Sequence, residues 1–324
     1  MKGAPRLWVL TLGHAGFESQ AVGLAEAIGG DIVIKRAGPR FPWGMIPPAL
    51  MLPPLDALTR GSDALSPPWP DMVISCGRRV AALALAIKRG SGGTAKAVHI
   101  QDPPSPSAFD LVAAPAHDRL SGPNVIVTDG ALHRVTPAKL ADAATAFGPS
   151  LAGLGHPLVA VLIGGSTRRY RMTESSVRAL CAGLGRLARE RGARFCVTAS
   201  RRTGEANAAI LKAALAGLPA QLWDGTGANP YLGYLALADA IVVTSDSVSM
   251  ASEAVSTGKP VYVFDLDGGS ARFERFHAHL RALGMTRPFD GTLDTWRYTP
   301  PDDTARVAAA ARSVLPSSAT PRCR

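Results

Sequence analysis

Two stretches of this chain decide its fold: VAVLIGGSTRRYR, residues 159–171, and ADAIVVTSDSVSMASEAVSTGKP, residues 238–260. Each begins as an apolar run, continues into small polar residues and then opens a helical pattern. A strand that runs into a helix leaves unpaired backbone N–H groups and the positive end of a helix dipole at one place. Because such a place suits a phosphate group, this half of the chain is predicted to bind a nucleotide.

The same strand-then-helix alternation covers nearly the whole sequence. Residues 7–13 form an apolar strand pattern, and residues 16–28 carry apolar side chains at the spacing of one helix face. Continuous apolar strands that alternate with helices predict parallel sheets covered on both faces. The predicted fold class is therefore α/β, with two Rossmann-like parallel-sheet domains facing a cleft, where ligands bind at the carboxyl ends of the strands.

The length of 324 residues suits two domains. Residues 148–157 are rich in Gly and Pro and lack periodicity, which is typical of a linker. The predicted domains are thus an acceptor-side domain over 1–150 and a nucleotide-donor domain over 151–300. Residues 301–324 are predicted to form a C-terminal helix and tail that pack back on the first domain.

Arginine supplies most of the net charge of +10. This charge favours either a basic surface that attracts anionic membranes and phosphorylated ligands or a general compositional bias. Without a lysine-rich tail, zinc-finger spacing or an aromatic RNA-binding motif, nucleic acid is not an expected partner.

The four cysteines are scattered, without metal-binding spacing, and no apolar run is long enough to span a bilayer. The first residues lead straight into a strand pattern and do not resemble a signal peptide. We therefore expect a reduced cytoplasmic protein without structural zinc, peripheral at the inner face of the membrane where its basic surface meets lipid.

Polar and basic residues follow two neighbouring strands of the second half. Gly164 and Gly165 would let a phosphate approach the backbone, with Ser166 as a hydroxyl donor and Arg168 as a bidentate partner. After the next strand comes a similar group formed by Ser200, Arg201 and Arg202. The alternative is a solvated basic loop, but two arginine pairs at adjacent strand ends favour a dianionic ligand.

A serine-rich helix start follows a later strand. Ser245, Ser247 and Ser249 surround it, and ordinary N-capping explains at least one of them. Glu253 lies one to two turns into the helix and is predicted to accept hydrogen bonds from a ribose diol. Asn229, in a glycine-rich loop, is predicted to contact the base. The sequence leaves Asp246 open as either a cap or a catalytic group.

The first strand of the chain ends in a loop that contains Gly13, His14 and Gly16. The glycines allow a tight turn into the next helix, and His14 is predicted to act as a general base on an acceptor hydroxyl. The alternative is a histidine that only packs the turn. Since the loop is not G-x-G-x-x-G and the second strand ends in Lys35 and Arg36, a nicotinamide dehydrogenase is disfavoured.

Other strand ends of the first half carry polar residues that are predicted to face the acceptor or, alternatively, to be structural. These residues are Arg78, Gln101, Asp102 and His117. Asp102 is also a candidate catalytic carboxylate. The proline-rich run over 42–54 is either an apolar lip for a membrane or lipid-linked acceptor, or a buried connection.

Together these motifs resemble those of the mitochondrial-fission (elongated-mitochondria) protein family, in its bacterial branch, over nearly the whole chain. The matching stretches are GHAG at 13–16, SCGR at 75–78, HIQDP at 99–103, GGS at 164–166, SRRT at 200–203 and SDSVSMASE at 245–253. That family in turn resembles glycosyltransferases of the two-Rossmann GT-B type, including the transferase that adds N-acetylglucosamine to the lipid-linked peptidoglycan precursor.

The resemblance implies a metal-independent transferase that uses a nucleotide-diphosphate sugar as substrate, needs no further cofactor, and acts on a lipid-linked or envelope-glycan acceptor. It implies that Glu253 binds the nucleotide ribose and that the glycine loops line the site. The arginine-rich tails of two loops depart from the transferase pattern, so donor base and acceptor stay open. Two alternatives remain: a sugar-nucleotide epimerase on the same fold, and a non-catalytic adaptor at a membrane surface.

Overall fold

The computed structural model describes residues 4–46, 50 and 53–315. By its internal contacts the chain divides into two compact units. The first contains the residues up to Arg134 together with those from Asp302 onward, and the second contains Val135–Pro301.

In the described part of the chain, the strands are β1 (Arg6–Thr11), β2 (Asp31–Arg36), β3 (Met72–Cys76), β4 (Lys96–Ile100), β5 (Leu111–Pro115), β6 (Val125–Thr128), β7 (Leu158–Ile163), β8 (Tyr170–Arg171), β9 (Arg194–Ala199), β10 (Ala220–Leu222), β11 (Ala240–Thr244), β12 (Val261–Phe264), β13 (Asp267–Gly268) and β14 (Thr286–Pro288). The α-helices there are α1 (Ala15–Ile28), α2 (Arg78–Gly90), α3 (Pro137–Leu151), α4 (Glu174–Arg191), α5 (Glu205–Leu215), α6 (Tyr231–Leu237), α7 (Val248–Val255), α8 (Ala271–Ala282) and α9 (Asp303–Val314).

The first unit is a parallel sheet in the order β2-β1-β3-β4-β5-β6 with helices on both faces. The C-terminal helix α9 packs on α1 and buries Val307, Ala308 and Ala311 in the core beside that helix. The Asp303 carboxylate accepts hydrogen bonds from the backbone N–H groups of Asp129 and Gly130 at 2.8 and 3.0 Å. These contacts explain why the end of the chain belongs to the first unit.

The second unit has the strand order β10-β9-β7-β11-β12-β14, also parallel. Numbered within the unit, this is the 3-2-1-4-5-6 order of dinucleotide-binding sheets. The predicted fold class of two parallel-sheet domains is confirmed, with six strands in each sheet of the described chain.

Helix α3 belongs to the second unit, so the division by contacts falls before this helix and not at residue 150 as predicted. Thr136 caps α3 by accepting from the Lys139 N–H, and the helix continues to Leu151 into the expected linker. It packs on α6, where a Cβ added to Gly233 would lie 2.7 Å from the Phe147 side chain. Close packing here explains why glycine-rich sequence after Phe147 does not end the helix early.

The antiparallel ladder between β8 and β13 was not predicted, because each strand has two residues. The ladder pairs Arg171 with Asp267 and Tyr170 with Gly268. It fixes the arginine-rich loop after β7 against the loop after β12, while the Tyr170 ring packs edge-on against Phe273 at 5.4 Å.

Both sheets have a point where the strand order reverses, between β1 and β3 in the first and between β7 and β11 in the second. Ligands of open α/β sheets bind at the carboxyl ends of the strands at such points. Candidate residues should therefore lie in the loops after these four strands. No helix of the described residues combines the length and apolar character needed to cross a membrane.

Candidate functional site

The reversal point of the second sheet brings the predicted loops of β7 and β11 together. The Gly164 N–H donates to Thr244 Oγ1 at 2.8 Å, and the Gly165 N–H donates to Asp246 Oδ2 at 3.1 Å. Thr244 Oγ1 in turn donates to Asp246 Oδ1 at 2.7 Å. A Cβ on Gly164 would lie 2.3 Å from both carboxylate oxygens, so glycine is required for this close approach.

The loop after β9 joins the same network. Ser200 Oγ and Thr203 Oγ1 both donate to the Gly164 carbonyl, at 2.5 and 2.8 Å, and the Ser166 N–H donates to the Arg202 carbonyl at 3.0 Å. Three strand-end loops are thus fixed to one another by hydrogen bonds around Gly164 and Gly165.

The Asp246 carboxylate is fully buried and forms an ion pair with Arg202 at 2.9 Å. Burial raises the pKa of Asp246, whereas the hydrogen bond from Thr244, the charge of Arg202 and the Gly165 N–H oppose that rise. The sequence left open whether Asp246 is a cap or a catalytic group; the structure places it as the centre of the loop network, and Ser247 caps α7 by accepting from the Met250 N–H.

The sequence predicted that the backbone of the glycine loop is open to a phosphate, but in the structure its amides are hydrogen-bonded within the protein. The N–H groups of Gly164, Gly165 and Ser166 all have acceptors within the protein, and Ser166 Oγ accepts from the Met172 N–H. The physical reason is the carboxylate of Asp246 and the hydroxyl of Thr244, which satisfy donors that sequence alone leaves unassigned.

Other donors at this sheet edge remain available. Arg168 and Arg201 are exposed and form no ion pair within the described residues. In the first turn of α7, the N–H groups of Val248 and Ser249 have no intrahelical acceptor. Ser245 is hydrogen-bonded within the protein interior. Its hydroxyl accepts from the Leu266 N–H at 3.0 Å, and its carbonyl accepts from His277 Nε2 at 2.8 Å.

Glu253 lies on α7, partly buried, and accepts a hydrogen bond of 2.5 Å from the Tyr231 hydroxyl. Burial raises the pKa of Glu253 to about 7, although the hydrogen bond from Tyr231 acts in the opposite direction. The Asn229 Oδ1 accepts from the Tyr231 N–H at 3.0 Å, so Asn229 fixes the start of α6 and its side-chain oxygen is engaged within the protein.

The reversal point of the first sheet holds a pocket of about 80 Å³, lined by Leu12, His14, Phe17, Cys76, Gly77, Arg78, Arg79 and Val80. His14 is exposed at the start of α1, where its side chain makes no capping hydrogen bond, and Gly13 before it has a φ of 81°. Gly16 is exposed in the first turn. The predicted loop therefore presents His14 to solvent.

Arg78 links this pocket to the loop after β4, since its Nη1 lies 3.6 Å from Asp102 Oδ2. Gln101, beside Asp102, has a φ of 80° although it is not glycine, and its N–H donates to the Ala113 carbonyl at 2.8 Å. Non-glycine residues in this region of φ are uncommon and concentrate at functional sites. Arg78, Gln101 and Asp102 therefore stay candidates together with His14.

His117 lies in the interior and not at a surface where an acceptor would meet it. It is 5% exposed, and its Nε2 lies 3.5 Å from Asp118 Oδ1. The three-residue helical turn after β5 turns this side chain inward, which the sequence could not distinguish from an outward turn.

Several residues of the network were missed. Thr244, Thr203 and Tyr231 are not among the predicted site residues, because no special sequence pattern distinguishes them. The one available signal is that Thr244 and Tyr231 adjoin predicted site loops. Within residues 4–46, 50 and 53–315, no group of three or more His, Cys, Asp and Glu could hold a metal ion.

Solved structures that share this fold, with two parallel-sheet domains, include proteins of the GT-B type. The UDP-GlcNAc 2-epimerase of Methanocaldococcus jannaschii, in complex with UDP-GlcNAc and UDP, is 12% identical with a TM-score of 0.54, covering 95% of this chain and 99% of that chain. MurG of Acinetobacter baumannii is 13% identical with a TM-score of 0.50, covering 96% and 92%. At these identities the likeness shows a shared fold.

The profile of the family described as Mitochondrial fission ELM1 matches residues 15–315. The mitochondrial fission protein ELM1 of Arabidopsis thaliana is 34% identical over 274 residues, which cover 76% of this chain and 64% of the plant protein. An uncharacterized protein of Rickettsia prowazekii is 28% identical over 76% of this chain and 80% of its own length. The chain belongs to the mitochondrial fission ELM1 family, and the predicted resemblance is confirmed.

Proposed function

We propose that this protein binds a nucleoside diphosphate sugar at the reversal point of the second sheet and transfers the sugar to an acceptor hydroxyl. The observation that carries the proposal is the hydrogen-bonded group of loops around Gly164, Asp246 and Arg202, beside exposed arginines and the first turn of α7. Structures that share the fold include complexes with UDP-GlcNAc, which supports a sugar nucleotide as the ligand class.

Diphosphate recognition would fall to side chains and to α7. Arg168 and Arg201 supply planar, bidentate cations for phosphate oxygens, and the first turn of α7 adds N–H donors with a favourable dipole. Positive groups held in place before reaction stabilise a departing diphosphate without a metal ion. Glu253 would accept from the ribose hydroxyls.

His14 would act as the general base on the acceptor hydroxyl. It is exposed in the pocket of the first unit and not engaged as a cap, so its ring nitrogens are available to a ligand. The transfer forms the glycosidic bond to the acceptor oxygen, breaks the bond from the sugar to the diphosphate, and moves the acceptor proton to His14.

A lipid-linked acceptor or an anionic membrane surface is the proposed partner of one loop. Phe41, Met45 and Leu50 are 80%, 78% and 78% exposed, more than any other large apolar side chain in the described chain. Arg40, next to Phe41, and Arg60 are both exposed. Their segments are joined, because the Arg40 N–H donates to the Ala57 carbonyl and Pro39 forms a bridge with Leu58. Met51 and Leu52 of the same run lie outside the described residues.

The experiment is calorimetric titration with UDP, GDP, CDP, ADP and dTDP, followed by product analysis with the matching sugar conjugates. Micromolar binding of one nucleotide that Arg201→Ala weakens about tenfold or more is expected. Sugar conversion without acceptor would favour an epimerase. If no nucleotide binds, and the protein floats with lipid vesicles in a way that Phe41→Ser abolishes, the proposed transferase is wrong and the membrane-adaptor alternative is favoured.

A further inference from the structure

The contact between Tyr231 and Glu253 joins two elements of the proposed nucleotide site. Tyr231 is the first residue of α6, after the glycine-rich loop that contains Asn229, and Glu253 lies on α7. The Tyr231 hydroxyl lies 2.5 Å from Glu253 Oε2 and donates a hydrogen bond to it, and such a bond is stronger when the carboxylate is ionised. Burial raises the pKa of Tyr231 well above its ordinary value, so the phenol keeps its proton and is the donor.

Among the described residues, Glu253 has no other side-chain partner. Titratable groups on α6, α7 and the segments around them include Tyr234, Asp246, Lys259, Tyr262 and Tyr298, and none of these interacts with Glu253. Lys259 instead donates to the carbonyls of Leu235 and Ala236 at the other end of α6. Tyr231 alone therefore opposes the effect of burial on this carboxylate.

The hydrogen bond engages Oε2 and leaves Oε1 without a protein donor in the described chain. An ionised carboxylate only accepts hydrogen bonds, whereas a protonated one has lost part of that capacity. A sugar hydroxyl is a donor that Oε1 can accept, and a hydrogen bond to a charged acceptor contributes more than one to a neutral acceptor.

We propose that Tyr231 is the positioning residue for the nucleotide ribose: its hydrogen bond fixes one oxygen of Glu253, so that the other oxygen selects ribonucleotides over 2′-deoxyribonucleotides. This inference rests on the proposed nucleotide site. It assigns to Tyr231 a role in ligand choice that acts through Glu253 and not by contact with the sugar.

The sign of the pH dependence follows from the carboxylate. Burial raises the pKa of Glu253 to about 7 even with the hydrogen bond from Tyr231, so the ionised form dominates only above that pH. Preference for the ribonucleotide should therefore be full in weakly alkaline solution and decline as the pH falls through about 7. Tyr231→Phe removes the group that lowers this pKa, and the decline should move to higher pH.

The test is calorimetry with UDP and 2′-deoxy-UDP between about pH 6 and about pH 8.5, a range that brackets the titration of a raised glutamate. The proteins are wild type, Tyr231→Phe, Glu253→Gln and the matched control Tyr234→Phe. The Tyr234 hydroxyl is buried on the same helix without a hydrogen-bond partner in the described chain, so its removal should change nothing.

At the alkaline end of this range, we expect wild type to bind UDP about tenfold or more tightly than 2′-deoxy-UDP, because the deoxy compound lacks one hydrogen bond to a charged group. Glu253→Gln should show a small, pH-independent ratio. Tyr231→Phe should shift the midpoint of the ratio upward by about half a pH unit or more, since a lost charge-assisted hydrogen bond moves a carboxylate pKa in that direction. A structural role alone would lower stability without moving this midpoint.

Equal affinities of wild type for UDP and 2′-deoxy-UDP at every pH would overturn the inference without any variant. If the pH midpoint of the affinity ratio is the same in Tyr231→Phe as in wild type, the inference is also overturned. The proposed function would still stand in either case if wild type binds a nucleotide and Arg201→Ala weakens that binding. If wild type binds none of UDP, GDP, CDP, ADP or dTDP, the proposed function fails and this inference with it.

Discussion

Each sheet has an aspartate and an arginine paired at its strand ends, and the two pairs differ sharply. In the second unit, Asp246 is fully buried and lies 2.9 Å from Arg202. In the first unit, Asp102 is 39% exposed and lies 3.6 Å from Arg78. Asp246 also accepts from Gly165 N–H and Thr244 Oγ1, whereas the Asp102 pair involves only two exposed side chains.

The difference indicates that the loops around Asp246 are fixed, whereas the loop of Asp102 can rearrange. The buried Asp246 carboxylate, which accepts from Gly165 N–H and Thr244 Oγ1 and pairs with the partly exposed Arg202, fixes its loops in one arrangement before a ligand arrives. Such an arrangement suits a diphosphate bound by positioned charges. An exposed pair at 3.6 Å contributes little to stability and can rearrange at low cost, which suits contact with a variable acceptor. The predictions below test this comparison, beginning with the largest expected effect.

Gly165→Ala should disrupt the second unit most. Gly165 has a φ of 145°, and an added Cβ would lie 2.2 Å from the backbone C and O of Arg202. Backbone strain and overpacking together should lower the free energy of unfolding by about 3 kcal/mol or more, measured by urea denaturation. Gly148→Ala is the control, because Gly148 lies in α3 with nothing within 4 Å and should be neutral or slightly stabilising. Equal effects would contradict a close approach at Gly165.

Asp246→Asn should come next. The substitution keeps the shape but removes the charge that pairs with Arg202 and brings an NH₂ group to face donors from Gly165 and Thr244. We expect a loss of about 2 kcal/mol in unfolding free energy. The surface pair of Glu174 and Arg178, spaced i,i+4, provides the control: Glu174→Gln should cost about 0.5 kcal/mol or less. A wild-type melting curve for Asp246→Asn would remove the basis for the comparison.

Much of the fold could be predicted from the sequence, since buried parallel strands are continuous apolar runs such as 158–163 and helices have their own periodicity. The boundary before Val135 could not be predicted. A Gly–Pro-rich stretch resembles a linker whether or not tertiary packing continues a helix through it, and here α3 packs on α6.

The sequence predicted which loops form the candidate site but not which hydrogen bonds join them. Strand ends identified the loops of Gly164, Arg202 and Asp246, because topology brings such ends to one edge of a sheet. Which donor meets which acceptor depends on side-chain geometry, so the sequence predicted free amides at Gly164 and Gly165 where the structure has hydrogen bonds to Thr244 and Asp246. His117 shows the same limit in the first unit.

His99 supplies the first unit with a buried titratable group beneath the loop of Asp102. It is 0% exposed, and its Nδ1 lies 2.8 Å from Ser75 Oγ. Burial lowers the pKa of His99 from 6.5 to about 3. The unfolded chain therefore binds a proton that the folded state excludes, so this contribution to stability is present above pH 6.5 and is lost as the pH falls toward 3.

We expect acid to reduce the free energy of unfolding by about 1–2 kcal/mol between pH 7 and pH 5 through this one group. His99→Leu should flatten that part of the profile whatever its effect at neutral pH, measured by urea denaturation at each pH. An identical acid slope in wild type and His99→Leu would show that His99 is not the group responsible.

Asp102→Asn should have the smallest effect on stability, below about 0.5 kcal/mol, because an exposed ion pair is weakened by solvent and by the entropy of two mobile side chains. Its effect on transfer should be larger than its effect on folding if the loop of Gln101 and Asp102 contacts the acceptor. Melting temperature and nucleotide affinity should stay at wild-type values while the transfer rate falls. A loss of nucleotide affinity in Asp102→Asn would contradict the difference between the two pairs, because the loop of Asp102 would then contribute to nucleotide binding.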